Sequence, residues 1–452
     1  MEDINFNPNN PTVVPTTTIL LSAEKQLVDN IRNENISLRG TNLFAQYYSQ
    51  YIYTEQSRYD IPRSYLDTYW DNAYKTLNNL QEIIELNTNE ATKDKAAAGT
   101  AGTNVNQIAI ARILKSFGFQ TLTDIFGNIP YNSYGNPKPE FQALQRNPEI
   151  LSPVYASQEA IYADILNELK AAGDTLLKYN TLNTFGNYDV IYKGSNAKWA
   201  KFANSLRLRV ATRIKEKSPS LYQEHIADAV AKGVFASNDD NAKFPYQLTA
   251  PNESPLYRAT VTANRRDFGV SHIVISALKG ELGPVTVADP RLPVYARPNN
   301  AGQYFGLPYG LGTAEAGILK IEEISLPGTA VNAADFAEVL QEYAEVAFLL
   351  SEYNNWSQAD YERGVKASLL KWGVPEGAAN TYLAAIPPAD KENVLHQKYL
   401  ALFTQGNEAW SEIRRTGYPL YLVKPNDIVW KRATPTQTLT GLLNSLIQSG
   451  RT

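Results

Sequence analysis

Three histidines, His225, His272 and His396, are the only imidazoles in the chain, and they lie far apart in sequence. None belongs to a His-Glu-x-x-His pair that could seat zinc. No Gly-x-Ser-x-Gly elbow presents a nucleophile to them. Cysteine is absent, which removes thiolate nucleophiles, disulfides and thiolate-bound zinc or iron–sulfur centres. Gly306, Gly310 and Gly312 lack both the spacing and the strand–helix frame of a phosphate loop, so they read as an ordinary loop. The adjacent acids Asp239-Asp240 and Glu322-Glu323 point apart and read as solvated surface. Two carboxylates facing each other across a cleft leave no fixed spacing, so a hydrolase pair stays open. Asp3, Asn5 and Asn7 alternate as calcium ligands do, but Pro8 and the missing downstream Glu spoil the pattern. No cofactor is expected; calcium held by loop oxygens is the one alternative.

What remains is recognition. A sugar ring has an apolar face, which Tyr and Trp cover, and a rim of hydroxyls, which Asn, Gln, Asp and Arg can pair with. The chain holds 28 Tyr against 15 Phe and 6 Trp, so many rings need a wet edge for the hydroxyl. Most of these should be half-buried at helix junctions, with a few lining a polar cleft. Three loop clusters have the required mixture. The first is Tyr59 to Arg63 with Tyr65; the second is Phe185 to Tyr192, with Tyr188 and Tyr192. The third joins Asn264 to Phe268, carrying Arg265 and Asp267, with Tyr304 to Tyr309. The ligand-binding candidates are therefore Tyr59, Arg63, Tyr65, Tyr188, Tyr192, Arg265, Asp267, Tyr304 and Tyr309. Trp199, Trp372 and Trp410 fall on helical faces or ends and are assigned to packing. Covering roughly 60 Å² of one sugar ring at about 25 cal/mol/Å² contributes on the order of 1.5 kcal/mol. Two or three stacked sugars then give millimolar to micromolar affinity.

The elements that must carry these loops are helical. Apolar residues recur at three- and four-residue spacing over Ser64–Asn87, Val105–Phe119, Ser157–Leu177 and Asn196–Ile214. Ser22–Tyr53 is long enough for one or two helices, with Ser22 as N-cap, and 216–235 adds a shorter one. Periodicity fades from 236 to 334, where short strands are expected near Val270–Ile275 and Ile318–Ile324. Helices return around Val339–Leu350 and Tyr361–Leu369. A single closing helix over 393–415 places Leu395, Tyr399, Leu402, Phe403, Gly406, Trp410 and Ile413 on one face. In it Gly406 permits a close backbone approach, Arg414 and Arg415 complement the last turn, and Gly417 and Pro419 end it. The net charge of −4 without long runs of one sign argues against nucleic acid and against binding anionic lipid by charge. No run approaches the 18 apolar residues of a membrane span.

Several segments resemble one family in order. They are Asp3-Ile-Asn-Phe-Asn-Pro-Asn-Asn-Pro-Thr12, Phe117-Gly-Phe-Gln-Thr-Leu-Thr-Asp-Ile-Phe-Gly-Asn-Ile-Pro-Tyr131, the Trp- and Arg-rich stretch Asn196 to Ile214, Asp289-Pro-Arg-Leu-Pro-Val-Tyr-Ala296, Tyr361-Glu-Arg-Gly-Val-Lys-Ala-Ser368, and Gln397 to Pro419. Together they resemble the SusD/RagB family, in its SusD-like outer-membrane lipoprotein branch. Ile428 to Thr452 departs from the usual family ending and is left unassigned. The resemblance implies a mainly α fold, an alpha-alpha superhelix of tetratricopeptide-like hairpins with a loop-rich irregular insertion. The implied organisation is an extended tether over 1–18 and a single domain over 19–452. Within it, helical repeats span 19–235 and 335–416, the insertion spans 236–334, and a tail spans 417–452. The implied function is non-catalytic capture of an oligosaccharide or other nutrient and its delivery to a SusC-like TonB-dependent transporter. The implied location is the extracellular face of the outer membrane, through a lipid anchor on a Cys whose place Met1 takes here. A helical glycoside hydrolase and a tetratricopeptide scaffold for protein partners are the competing readings.

Overall fold

A computed structural model describes residues 14–424. Asp3 to Thr12 and the tail beyond 424 lie outside the described residues. The described residues form two compact units, one within 14–27 and 72–204, the other within 28–71 and 205–424.

Helices α1 (Thr16–Ile31), α2 (Arg63–Thr88), α3 (Asn104–Phe126), α4 (Gln158–Lys178) and α5 (Asn196–Ile214) build the first unit, with α1, α2 and α5 contributing residues to both. Helix α1 begins earlier than expected, inside the stretch read as tether. Pro15 offers its carbonyl to the N–H groups of Thr18 and Ile19, and its fixed φ suits a helix start. Ser22 therefore lies inside α1, where its hydroxyl accepts from the Gln26 amide at 3.0 Å rather than capping the end. Helix α3 packs along α4 and is buried on every side from Asn106 to Asp124, apart from Ile108. A helix enclosed this way must satisfy its polar side chains internally. Arg112 pairs with Glu168 at 2.8 Å, and the Lys115 ammonium reaches Gln81 at 2.8 Å and Asn132 at 2.5 Å. Burial pulls Lys115 down to about 8.

The second unit carries α6 (Pro219–Lys232), α7 (His272–Leu278), α8 (Tyr343–Tyr353), α9 (Gln358–Lys371), α10 (Glu376–Ala385), α11 (Lys391–Ala401) and α12 (Gly406–Thr416). Helices α8, α9 and α11 pack on one another, and α10 on α9. Among the described residues four short strands, β1 (Tyr48–Gln50), β2 (Ala242–Phe244), β3 (Phe268–Val270) and β4 (Glu338–Gln341), form two antiparallel ladders. Strand β1 pairs with β3, Tyr48 opposite Val270 and Gln50 opposite Phe268. Strand β2 pairs with β4.

Several elements differ from the sequence reading: Val339 and Leu340, read as the start of a helix, lie in strand β4, and the helix begins at Tyr343. The strand expected over Val270–Ile275 ends at Val270, and the β-branched run after it is helical. Ser271 caps α7 by accepting from the Val274 N–H, and complete burial of the helix overrides local propensity. Ile318–Ile324 holds a 3₁₀ turn, Ile321–Glu323, instead of a strand. The closing helix is two helices, α11 and α12, broken over 402–405 where Thr404 takes a left-handed φ of 74°. The cause is Gly406. A Cβ there would sit 2.5 Å from the Asn42 nitrogen and 2.7 Å from the Thr41 carbonyl carbon, so the chain turns to bring its bare backbone against that segment. Arg414 and Arg415 do occupy the last turn of α12, and Gly417 caps it in the left-handed conformation.

Candidate functional site

The site grows from the β1–β3 ladder of the second unit. Beyond Gln50 the ladder continues by one bond, Tyr51 N–H to the Asp267 carbonyl at 3.0 Å. The chain then leaves the sheet in a tight loop with two tyrosines in the left-handed region, Tyr53 at φ 54° and Tyr59 at φ 66°. Bulky residues rarely adopt that conformation, and strain of this kind gathers at functional sites. Both rings stand out from the surface, Tyr53 with 62% and Tyr59 with 42% of its area exposed. Tyr59 stacks on Phe44 at 5.4 Å and 15°, and its hydroxyl end lies beside Tyr309 and Gln46. One face and one edge are thus fixed, which leaves a held aromatic surface toward solvent. The Arg265 guanidinium lies over the Tyr53 ring at 6.0 Å.

Arg265 also lines a cleft of about 480 Å³ formed by the loops around Asn264, Arg297 and Glu322. Apolar Phe268, Ile321, Leu326 and Pro327 share its wall with Thr260, Asn264, Asn300 and Asn332. Thr260 donates to the Asn332 side-chain oxygen at 2.6 Å. Two π-helical segments prepare this region. Arg258–Thr262 delivers Thr260 and Val261 to the cleft, and Glu34–Thr41 presents Glu34 and Arg39. Asn33 starts the latter by accepting from the Asn35 and Ile36 N–H groups. Wide turns of this type recur at functional sites.

The structure joins candidates from separate stretches of sequence. Tyr65 accepts from Arg39 at 2.7 Å; Arg39 holds Glu34 at 2.5 Å; Glu34 meets Arg265 at 3.1 Å; and Arg265 clasps Asp267 at 2.6 Å. Tyr65, Arg265 and Asp267 are therefore one chain of polar contacts, with Asp267 buried beneath it. Arg63 stays outside, exposed and only 3.6 Å from Asp67. Tyr304 is half-buried against the core of the second unit.

Two candidates require correction. Tyr309 is 2% exposed, so its ring has no face for a ligand and instead supports Tyr59. Tyr192 is 5% exposed and packs edge-on against Trp199 at 5.1 Å, inside the first unit. Tyr188 of the same loop is exposed. That loop is clamped by Asp189, which accepts from the N–H groups of Ile191, Tyr192 and Gly194 and from the Trp199 indole at 2.6 Å. Asp240, read as surface, is buried and accepts the Ala236 N–H at 2.8 Å.

Sequence reasoning missed Tyr53 and Arg297, and from the Asn264 to Phe268 stretch it chose Arg265 and Asp267 but not Asn264 or Arg266. Tyr51-Ile-Tyr53 alternates as a strand edge does, and reading Ser22–Tyr53 as helix hid that signal. Trp199 and Trp372 are buried. Trp410 is half-buried, with Phe44 at 5.2 Å and the Arg414 guanidinium 3.8 Å from its ring centre.

The first unit holds a groove of about 620 Å³ along α1 and α2, but no aromatic ring lines it. Its one cation, Arg146, is already engaged by Glu82 at 2.5 Å and Glu85 at 3.1 Å. The cleft in the second unit, lined by asparagines and arginines and joined through Arg265 to the exposed Tyr53 ring, is the better candidate for recognition.

Residues 8–434 match the model of the SusD-like family described as starch-binding and associating with the outer membrane. The chain belongs to the SusD-like family. No curated protein matches it. Among solved structures, a chitin-binding protein superposes with a TM-score of 0.75 at 24% identity, over 96% of this chain and 94% of that one. A chitin-binding SusD homologue from Flavobacterium johnsoniae gives 0.71 at 23%, over 96% and 95%. A SusD homologue from Parabacteroides distasonis gives 0.74 at 22%, over 90% and 85%. At these identities the likeness shows the fold, mainly helical and tetratricopeptide-like. Among the described residues of this SusD-like chain, no helix is long and apolar enough to cross a membrane, and no three His, Asp or Glu side chains group to hold a metal ion.

Proposed function

We propose that this SusD-like protein captures an oligosaccharide at the extracellular face of the outer membrane and passes it, chemically unchanged, to a SusC-like TonB-dependent transporter. A lipid anchor would hold it there. The observation that carries the reading is the pair of exposed tyrosines, Tyr53 and Tyr59, fixed in left-handed backbone on a loop leading to a cleft of amide and guanidinium donors. Rings held at one edge lose little entropy when a sugar stacks on them. The family description as starch-binding and the chitin-binding neighbours support the same class of cargo.

A hydrolase needs two carboxylates placed about a scissile bond. The cleft lining supplies Glu322 as its one carboxylate among the described residues, and the nearby Asp267 is committed to Arg265. The three histidines are each 1% exposed, and burial lowers His272 to about 4 and His396 to about 3. These observations favour passive binding. Affinity electrophoresis against a polysaccharide panel, with chromatography of the recovered sugars, tests the reading. Retardation by at least one glycan without shortened products supports it; new reducing ends, or no retardation by any glycan, overturn it. Co-purification with a TonB-dependent transporter from native outer membranes tests the delivery step.

A further inference from the structure

We propose that the cleft of the second unit selects glycans bearing a negatively charged group, the carboxylate of a uronic acid or a sulfate ester, over neutral ones. The inference deepens the glycan-capture reading and rests on it.

Three guanidinium groups, those of Arg265, Arg266 and Arg297, share one lining with the single carboxylate of Glu322. Arg265 is spent, held by Asp267 at 2.6 Å and Glu34 at 3.1 Å. Arg266 and Arg297 are exposed, and neither forms an ion pair among the described residues. Glu322 is exposed and also unpaired. The cleft thus keeps two uncommitted cations against one acid, in a chain whose net charge is −4. The excess is local and does not follow from overall composition. Guanidinium presents its donors as a planar fork that matches a carboxylate or sulfate edge in two parallel bonds. A sugar hydroxyl offers it a single acceptor atom and no opposing charge, so it gains less. Asn264, Asn300 and Asn332 remain for the hydroxyl rim, and Phe268 with Leu326 for the apolar ring face. An amide-lined cleft serving neutral sugars would gain nothing from desolvating two arginines.

The test is titration calorimetry of the whole protein with trigalacturonate, a sulfated carrageenan tetrasaccharide and maltotriose, at low and high salt. Wild type and the Arg266→Gln/Arg297→Gln double variant are compared, with melting temperatures confirming that the variant folds. The expected result is about tenfold tighter binding of one charged sugar than of maltotriose. That preference shrinks as salt rises and disappears in the double variant, which loses more affinity for the charged sugar than for maltotriose. Glu322→Gln should strengthen the charged sugar. Whichever of the carboxylated and sulfated probes binds identifies the group. Equal affinity for charged and neutral sugars, or a preference the double variant keeps, overturns the inference while glycan capture stands. Failure of every sugar, neutral and charged, to bind this protein overturns both.

Discussion

Tyr59 is the residue on which sequence and structure meet most closely. Its type and its Pro-containing loop mark it in the sequence; the structure adds a left-handed backbone, a stacked Phe44 and an open face. Replacing it with Ala should weaken oligosaccharide binding about tenfold, the stacking of one ring, and leave the melting temperature nearly unchanged. Calorimetry and a thermal scan on the same sample check this. Tyr309 should behave differently, because its buried ring fills the core beneath Tyr59: Tyr309→Ala should lose about 3 kcal/mol of stability, as large-to-small core changes do. Sequence alone could not separate the two. Both are loop tyrosines among polar neighbours, and burial is decided by which segment each meets in three dimensions. Tyr53 escaped notice for a related reason, since its exposure depends on β1 pairing with a strand more than 200 residues away.

At the scale of elements, periodicity located the long helices because their buried faces repeat, and it failed where tertiary contact overrides a local pattern. The apolar stripe from Leu395 to Ile413 continues through a break, and only the approach of Gly406 to Thr41 and Asn42 reveals it. Gly406→Ala would force a Cβ into backbone that cannot move aside, and should destabilise by about 2–4 kcal/mol, read by urea unfolding. The clamp on the 185–194 loop makes a second prediction. Glu24 is fully buried and accepts the Val190 N–H at 3.0 Å. Burial, reinforced by the neighbouring Asp189, raises Glu24 well above the ordinary carboxylate range. The folded protein therefore keeps this proton to higher pH than the unfolded chain does, so the group's contribution is full below the unfolded carboxylate pKa of about 4.3 and is lost as pH rises toward the folded value. Glu24→Gln should remove that slope and raise stability at pH 7 by about 1 kcal/mol. An unchanged pH profile of the melting temperature would show that Glu24 carries no such proton.

Over the whole molecule, the helical architecture follows from composition and periodicity, whereas the polar interior of the second unit was invisible in sequence. There Arg209 pairs with Glu345 at 2.6 Å, Arg213 with Glu408 at 2.5 Å, Lys398 with Glu412 at 2.7 Å and Arg415 with Glu352 at 2.7 Å. Burial alone would raise these acids. Arg415 and Lys398 more than offset it at Glu412, Arg213 and Arg209 at Glu408, and Arg415 at Glu352, so all three fall below the ordinary value. Glu345 is the exception, raised by burial despite Arg209. Carboxylates with depressed values contribute stability above the unfolded pKa of about 4.3 and lose it as pH falls through the folded values. The melting temperature should accordingly drop steeply below about pH 4.5, and a flat acid limb in calorimetry would count against the network. The account turns, however, on capture without chemistry at the tyrosine loop. The most direct measurement is calorimetric binding of the oligosaccharide panel to wild type and to Tyr53→Ala/Tyr59→Ala, with the sugars recovered and sized afterwards. The account predicts micromolar to millimolar binding by wild type, a loss of about tenfold or more in the fully folded double variant, and sugars returned intact. Undiminished binding by the variant, or shortened sugars from wild type, would contradict it.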